Sequence, residues 1–466
     1  MGGGPAGLAV LLAAHKDGRF KEMLSQGLLI VERGAQIGPG QIGTYSINSD
    51  STGDTFIDPL RAGTEARLHA ILDTPVARRA AAAGLDSIPL RDAGELMTLV
   101  GEALHSLIGD YPQSAVLTHC TATLAQQQCD GTWQVSLTDA EGKLQHVQGK
   151  SLILATGATQ PLARLQRETV AGVPVAARWG NRLMQSGEVF GQGGLEKVAS
   201  LLAGKTDPKV AILGGSTSAM AIAHALLHRM PAVRFGEGGL TLFHRRPMRV
   251  YYTNAEEALQ DGYTEFGPDD LCPITKRVYR FAGLRLDSRE LLMQVRGIGN
   301  RPPEPRMKMH QLQPQDPEAV RRIDAVDLVI AALGYRPNAL PILDERDEAV
   351  SLFAHTGPSA ALVDDKCRVL DNQGTPIAGL YGIGLAAGFI PRGSLGGEPS
   401  FSGQANGLWL WQHDVGSIIV KAVLPERSER HEPPAPFTAP PARQAPMRVA
   451  NQPSGPRASL PTGTRA

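Results

Sequence analysis

Gly2-Gly3-Gly4-Pro5-Ala6-Gly7 opens the chain and runs into an apolar helical pattern at residues 8–15; Leu28-Leu29-Ile30-Val31 then forms a short strand ending at Glu32. Gly2-x-Gly4-x-x-Gly7 has the spacing of a dinucleotide-binding turn. The first glycine permits the tight turn, the second lets a pyrophosphate approach the backbone, and the third lets helix and strand pack closely. The helix that follows would aim free N–H groups and the positive end of its dipole at the phosphates. Glu32, ending the next strand, is placed to accept hydrogen bonds from a ribose. Arg33 lies beside it. The strand that usually precedes such a turn is missing, because Met1 abuts Gly2. We expect the natural start to lie upstream; the alternative is an incomplete sheet.

The same grammar recurs two hundred residues later. Val210-Ala211-Ile212-Leu213 is a buried strand pattern, followed by Gly214-Gly215-Ser216-Thr217-Ser218-Ala219 and a helix over residues 220–228. This is G-x-S-x-x-A, in which small residues stand for two of the glycines and still permit close approach at a helix N-terminus. Ser218 belongs to the same turn. The next strand, Leu240-Thr241-Leu242-Phe243, ends in His244-Arg245-Arg246. A basic pair where an NAD site carries an acid suits a 2′-phosphate, so NADPH is expected over NADH.

Two βαβ starts in one chain predict an α/β protein with two Rossmann-like dinucleotide-binding domains. The boundaries expected from the pattern are residues 1–170 for the first part of an FAD-binding domain and 171–325 for an NADPH-binding domain with an irregular insertion. Residues 326–424 would be the second part of the FAD domain, and residues 425–466 a disordered Pro-rich tail. Alternating runs over residues 115–148, such as Trp133-Gln134-Val135-Ser136-Leu137, predict a small antiparallel ribbon. Helical patterns fall near residues 64–83, 91–108 and 404–420.

Composition sets the outer limits. The 466 residues exceed what one core supports, and 42% hydrophobic content is enough for real cores. Lys+Arg and Asp+Glu balance at 46 each, which argues against a nucleic-acid partner recognised by bulk charge. No apolar stretch is long enough for a membrane span. Four cysteines without C-x-x-C spacing argue against a disulfide scaffold or a Cys-based zinc site, and a cytoplasmic location is expected. His224 and His228 have metal-ligand spacing, but no third ligand accompanies them, so no metal is expected.

Taken together, these residues resemble the two-dinucleotide-domain flavoproteins, and within them the class B flavin-dependent monooxygenases, over roughly residues 1–420. Gly2, Gly4, Gly7 and Glu32 match the FAD motif. Ala155-Thr156-Gly157 matches the hinge where the chain crosses between domains. Gly214, Gly215, Ser216, Ala219 and Arg245 match the NADPH motif. Asp327 to Tyr335, D-L-V-I-A-A-L-G-Y, resembles the A-T-G-Y motif of N-hydroxylating members, with Leu333 where Thr is usual. Tyr381-Gly382-Ile383-Gly384-Leu385 matches the late FAD strand. The stretch Phe190-Gly191-Gln192-Gly193-Gly194 stands where the family fingerprint lies but carries no His.

The resemblance implies FAD and NADPH as cofactors, with Thr156, Gly157, Gly384 and Leu385 in the flavin site. NADPH would reduce FAD, O2 would add at the flavin C4a, and one oxygen atom of the resulting (hydro)peroxide would pass to a small-molecule substrate at an amine or other heteroatom. The alternatives are a flavin reductase that passes electrons to another acceptor without oxygenation, and a silent binding protein. The family often places an amide near the flavin or nicotinamide. Asn48 and Asn254 are the candidate catalytic amides, although a turn residue is the commoner role for such an Asn, and Gln404 and Asn406 would begin a helix beside the flavin, with helix capping as the alternative. The sequence does not fix the substrate or the oligomeric state.

Overall fold

The computed structural model describes residues 1–356 and 360–424, so the tail expected to be disordered lies outside the described residues. The protein is mixed α/β and is built on parallel sheets.

Leu29–Val31 pairs in parallel with Ala115–Leu117. Leu152–Leu154 pairs in parallel with Pro376–Gly382, whose other edge carries antiparallel Arg368–Leu370. Met1 and Gly2 lie between these two ladders. Gly2 N–H donates to Val31 O at 2.8 Å, the Met1 amine donates to Ile153 O at 2.8 Å, and Ala155 N–H donates to Met1 O at 2.8 Å. The helix Pro5–Lys16 leaves this line at once, with Gly4 at its N-cap and Pro5 in its first turn, where a missing N–H costs nothing. Its residues Leu8 to His15 are buried. Gly416 of the C-terminal helix packs against it so closely that a Cβ there would lie 2.7 Å from Ala13 Cβ.

The second sheet has five parallel strands, in the order Leu183–Gln185, Leu328–Ala331, Val210–Leu213, Leu240–His244, Met307–Gln311. Every residue of Val210–Leu213 and Leu328–Ala331 is buried, as expected for strands covered on both faces. This corrects the domain boundary expected at 325/326. Residues 328–331 pair with 210–213, so the chain returns to the first domain only after Leu333. A buried apolar run carries no mark of which parallel sheet it joins, hence the misplacement. Met307–Gln311, inside the stretch expected to be irregular, is the sheet's edge strand, buried only at Met307 and without alternation, and therefore weakly patterned.

Two chain crossings join the domains side by side. Ala158–Thr159 pairs with Arg336–Pro337, and Asn338 stitches them: its Nδ2 donates to Thr156 O at 2.8 Å while Thr156 Oγ1 donates to Asn338 O at 2.8 Å. The ribbon comprises Thr121–Gln127, Trp133–Thr138 and Leu144–Gly149, with Trp133, Val135 and Leu137 buried on one face. The last helix begins at Leu408 rather than 404 and contains a π turn at Trp411–Val415. Gln404 and Asn406 therefore precede it, Gln404 donating to Ala360 O at 3.3 Å. Among the described residues, no helix is long and apolar enough to cross a membrane.

Candidate active site

One cavity of about 860 Å³ runs along the junction of the two sheets. Its near end is the first glycine turn. A Cβ on Gly7 would strike Gly2 O at 2.1 Å, and one on Gly2 would strike Ala155 O at 2.2 Å, so both glycines serve close packing. Gly4 differs: the nearest heavy atom to its hypothetical Cβ is 3.7 Å away, and the residue lines the cavity. No side chain caps the helix behind it, which leaves first-turn N–H groups facing the hollow. The Glu32 carboxylate is fixed by two backbone donors, Gly3 N–H on Oε2 and Gly34 N–H on Oε1, each at 2.7 Å. This end is shaped to hold a pyrophosphate and an adjoining ribose.

Arg33, Thr156, Gly157 and Leu385 also line the cavity. Gly384 lies behind Leu385, where a Cβ would be 2.5 Å from Ala6. In the second motif, Ser218 lines the cavity and the other small residues lie below it. Gly214, at φ +138°, would place a Cβ 2.3 Å from Ala332 O; Gly215 abuts His244, and Ala219 is fully buried. Ser216 caps the helix Thr217–His228 through its backbone alone, so that helix too presents free N–H groups. Arg245 and Arg246, at the end of the neighbouring strand, are exposed and lie outside the cavity lining.

The two candidate amides part company. Asn48 faces the cavity on the strand Asn48–Thr52; its Nδ2 donates to Asp287 Oδ2 at 2.7 Å and its Oδ1 accepts from Arg229. Asn254 lies elsewhere. It caps the helix Ala255–Gln260, its Oδ1 accepting from Glu257 N–H at 2.8 Å, so the structure places it as a helix cap and not beside Asn48.

The far wall contains residues that sequence reasoning did not single out. Asp50 follows Asn48 by two residues, which on a strand turns both toward the cavity. The residue is exposed toward the cavity, but the protein atoms packed around its carboxyl push it up to about 7; Asp287 adds to the rise, while Arg285 and the Thr217 hydroxyl oppose it. Its open face is the cavity itself. Arg285 lies with its guanidinium 3.9 Å from the Tyr251 ring centre and donates to Arg280 O at 2.5 Å. The next residue, Leu286, has φ +47°, a costly conformation for a branched side chain and one found where a site is held in shape. His224 lies against His228, with ring centres 4.6 Å apart and the planes tilted by 46°. Burial holds it below the usual imidazole value, so it is neutral near pH 7. The period of two from Asn48 could have disclosed Asp50. Arg285 and Asp287 had no such signal, because they sit in a segment without periodicity.

Comparison with known proteins agrees with this architecture. No protein-family model matches the chain. The CMP-5'-(3-aminopropyl)phosphonate hydroxylase of Streptomyces rubellomurinus is 31% identical over 428 residues, spanning 91% of this chain and 96% of that protein. Among solved structures, L-lysine 6-monooxygenase from Pseudomonas syringae shares the fold with a TM-score of 0.51 at 14% identity, over 91% of this chain and 97% of that one. The cadaverine monooxygenase of Erwinia amylovora, solved bound to FAD, gives a TM-score of 0.50 at 14% identity, over 95% and 97% of the two chains. A hydroxylase relative aligned along nine-tenths of the chain, and a two-domain fold shared with the lysine and cadaverine monooxygenases, lead to one conclusion: the protein is an oxidoreductase and belongs to the class B flavin-dependent monooxygenases.

Proposed function

We propose that the protein is an FAD- and NADPH-dependent N-hydroxylase that places one oxygen atom of O2 on the primary amine of a nucleotide-linked aminoalkylphosphonate. The observation that supports this reading is the single cavity, which touches Gly4 and Glu32 at one end and Asn48, Asp50 and Ser218 at the other. The substrate class is suggested by the Streptomyces relative.

The residues present fit the cofactors. Gly4 leaves room for a pyrophosphate over uncapped helix N–H groups, and Glu32 offers the remaining lone pairs of a fixed carboxylate to ribose hydroxyls. For NADPH, the N-terminus of Thr217–His228 would receive the pyrophosphate, and Arg245 and Arg246 would hold the 2′-phosphate. Reduced flavin bound there would supply the activation of O2. The chain itself positions and desolvates. Asn48, held between Arg229 and Asp287, offers a fixed amide on the wall, and the neutral His224 adds no positive charge against an incoming ammonium.

The test uses the FAD-loaded chain with NADPH, O2 and CMP-5'-(3-aminopropyl)phosphonate. Product carrying one added oxygen on nitrogen, formed in proportion to NADPH oxidised, is the expected result. NADPH oxidation that yields only hydrogen peroxide with every amine offered would instead favour a reductase without oxygenation.

A further inference from the structure

Resting on that proposed function, we infer that Asp50 is the group that receives the substrate's ammonium and takes one of its protons, so that it sets specificity for a primary amine. Three features of the geometry carry this. First, Asp50 shares a strand face with Asn48 and opens into the cavity. Second, among the described residues its carboxylate has no cation within ion-pair distance, although Arg285 is close enough to act on it electrostatically; that guanidinium is occupied by Tyr251 and Arg280 O. Third, the neighbouring carboxylate, Asp287, already accepts from Asn48 and from Ser87, whereas Asp50 accepts only from the Thr217 hydroxyl and is the less occupied anion of this wall. A carboxylate crowded by protein atoms and exposed only toward the cavity, with no counter-ion, is unfavourable until a cation completes it.

The chemistry needs such a group. An alkylammonium has no lone pair, and nitrogen must present one to accept oxygen. In the step assigned to Asp50, an N–H bond of the ammonium breaks, its electron pair stays on nitrogen, and the proton moves to Asp50 Oδ. Ammonium plus carboxylate become amine plus carboxylic acid, with charge and atoms conserved. Between an ammonium near ~10.4 and an ordinary aspartate near ~3.9 the proton would climb more than ~6 pH units. An acceptor titrating at about 7 halves that climb. The charged groups that act on Asp50 are Arg285 and, in the first turn of the helix Leu286–Arg296, Asp287; His224 and Arg229 line the same cavity, and its own strand contributes the uncharged Asn48.

The experiment titrates the FAD-loaded chain by calorimetry with CMP-5'-(3-aminopropyl)phosphonate and with CMP-5'-propylphosphonate, which lacks only the amine. Wild type should prefer the amine about tenfold or more near pH ~8, and the preference should fade toward pH ~6 as Asp50 protonates. Asp50→Asn should erase the preference while binding the propyl compound as wild type does, and Asp50→Glu should restore part of it. A preference that survives Asp50→Asn overturns the assignment. Should that variant fail to fold, a wild-type preference that stays constant from pH ~6 to ~8 overturns it equally. Wild type that binds both compounds alike removes Asp50's role and leaves the proposed substrate class standing. Wild type that binds neither removes the substrate class, and this assignment with it.

Discussion

Asn48 and Asp287, 239 residues apart in sequence, meet at 2.7 Å, joining the strand Asn48–Thr52 of the first domain to the helix Leu286–Arg296 of the second. Arg229 closes the other side of the Asn48 amide and also donates to Ser46 O at 2.7 Å. The wall of the cavity is therefore made by two domains and held by polar contacts that cross between them. Asn48→Ala strips Asp287 and Arg229 of a partner each, and should cost about 1–3 kcal/mol in urea unfolding. The ratio of hydroxylated product to peroxide should fall with it, because the wall that positions substrate loosens. Unchanged stability and coupling would show that the contact is incidental.

The second and third glycines of the first turn, Gly4 and Gly7, predict opposite failures. Gly4 has room for a side chain in the protein but not with a pyrophosphate against it, so Gly4→Val should fold and emerge colourless. Gly7→Ala drives a methyl into Gly2 O at 2.1 Å and should lower the melting temperature before flavin retention is even at issue. Flavin absorbance and circular dichroism on the same preparations separate the two.

Arg245 and Arg246 are exposed, and neither contributes to the core. Arg245→Ala should leave stability within about 0.5 kcal/mol of wild type and raise KM for NADPH by about tenfold or more, with KM for NADH little changed. Equal effects on both coenzymes would remove the 2′-phosphate role.

Crowding of the Asp50 carboxyl, which is exposed only toward the cavity, predicts a stability cost. A carboxyl whose folded-state value is raised to about 7 binds protons more tightly in the native state than in the unfolded chain. It therefore destabilises the ligand-free protein progressively as pH rises from about 4 to about 7, and the full cost persists above that. Asp50→Asn should raise the melting temperature at pH ~8 and have little effect near pH ~4. A melting temperature that moves equally at both values would contradict this account of Asp50.

Asp261 behaves in the opposite sense. The Arg301 fork, at 2.7 and 2.8 Å, holds its carboxyl down to about 2, with Tyr252 and Arg289 assisting. That stabilisation is present above about pH 4 and is lost as pH falls through about 2. Arg301→Ala should cost about 1–2 kcal/mol at neutral pH, after allowance for solvent screening, and flatten the acid limb of the stability curve.

The sequence by itself determined the local devices. Gly2, Gly4 and Gly7 before an apolar helix, Glu32 at a strand end, the buried runs Val210–Leu213 and Leu328–Ala331, and the alternation at Trp133–Thr138 were all legible, because each depends on backbone geometry within a few residues. Tertiary structure alone decided that Leu328–Ala331 lies beside Val210–Leu213, that Asn254 is a helix cap, and that Asp50, Arg285 and Asp287 share one hollow with the first glycine turn. Those outcomes depend on where the two crossings at Ala158–Thr159 and Arg336–Pro337 bring distant segments. Periodicity reports which face of an element is buried, not which remote element will bury it.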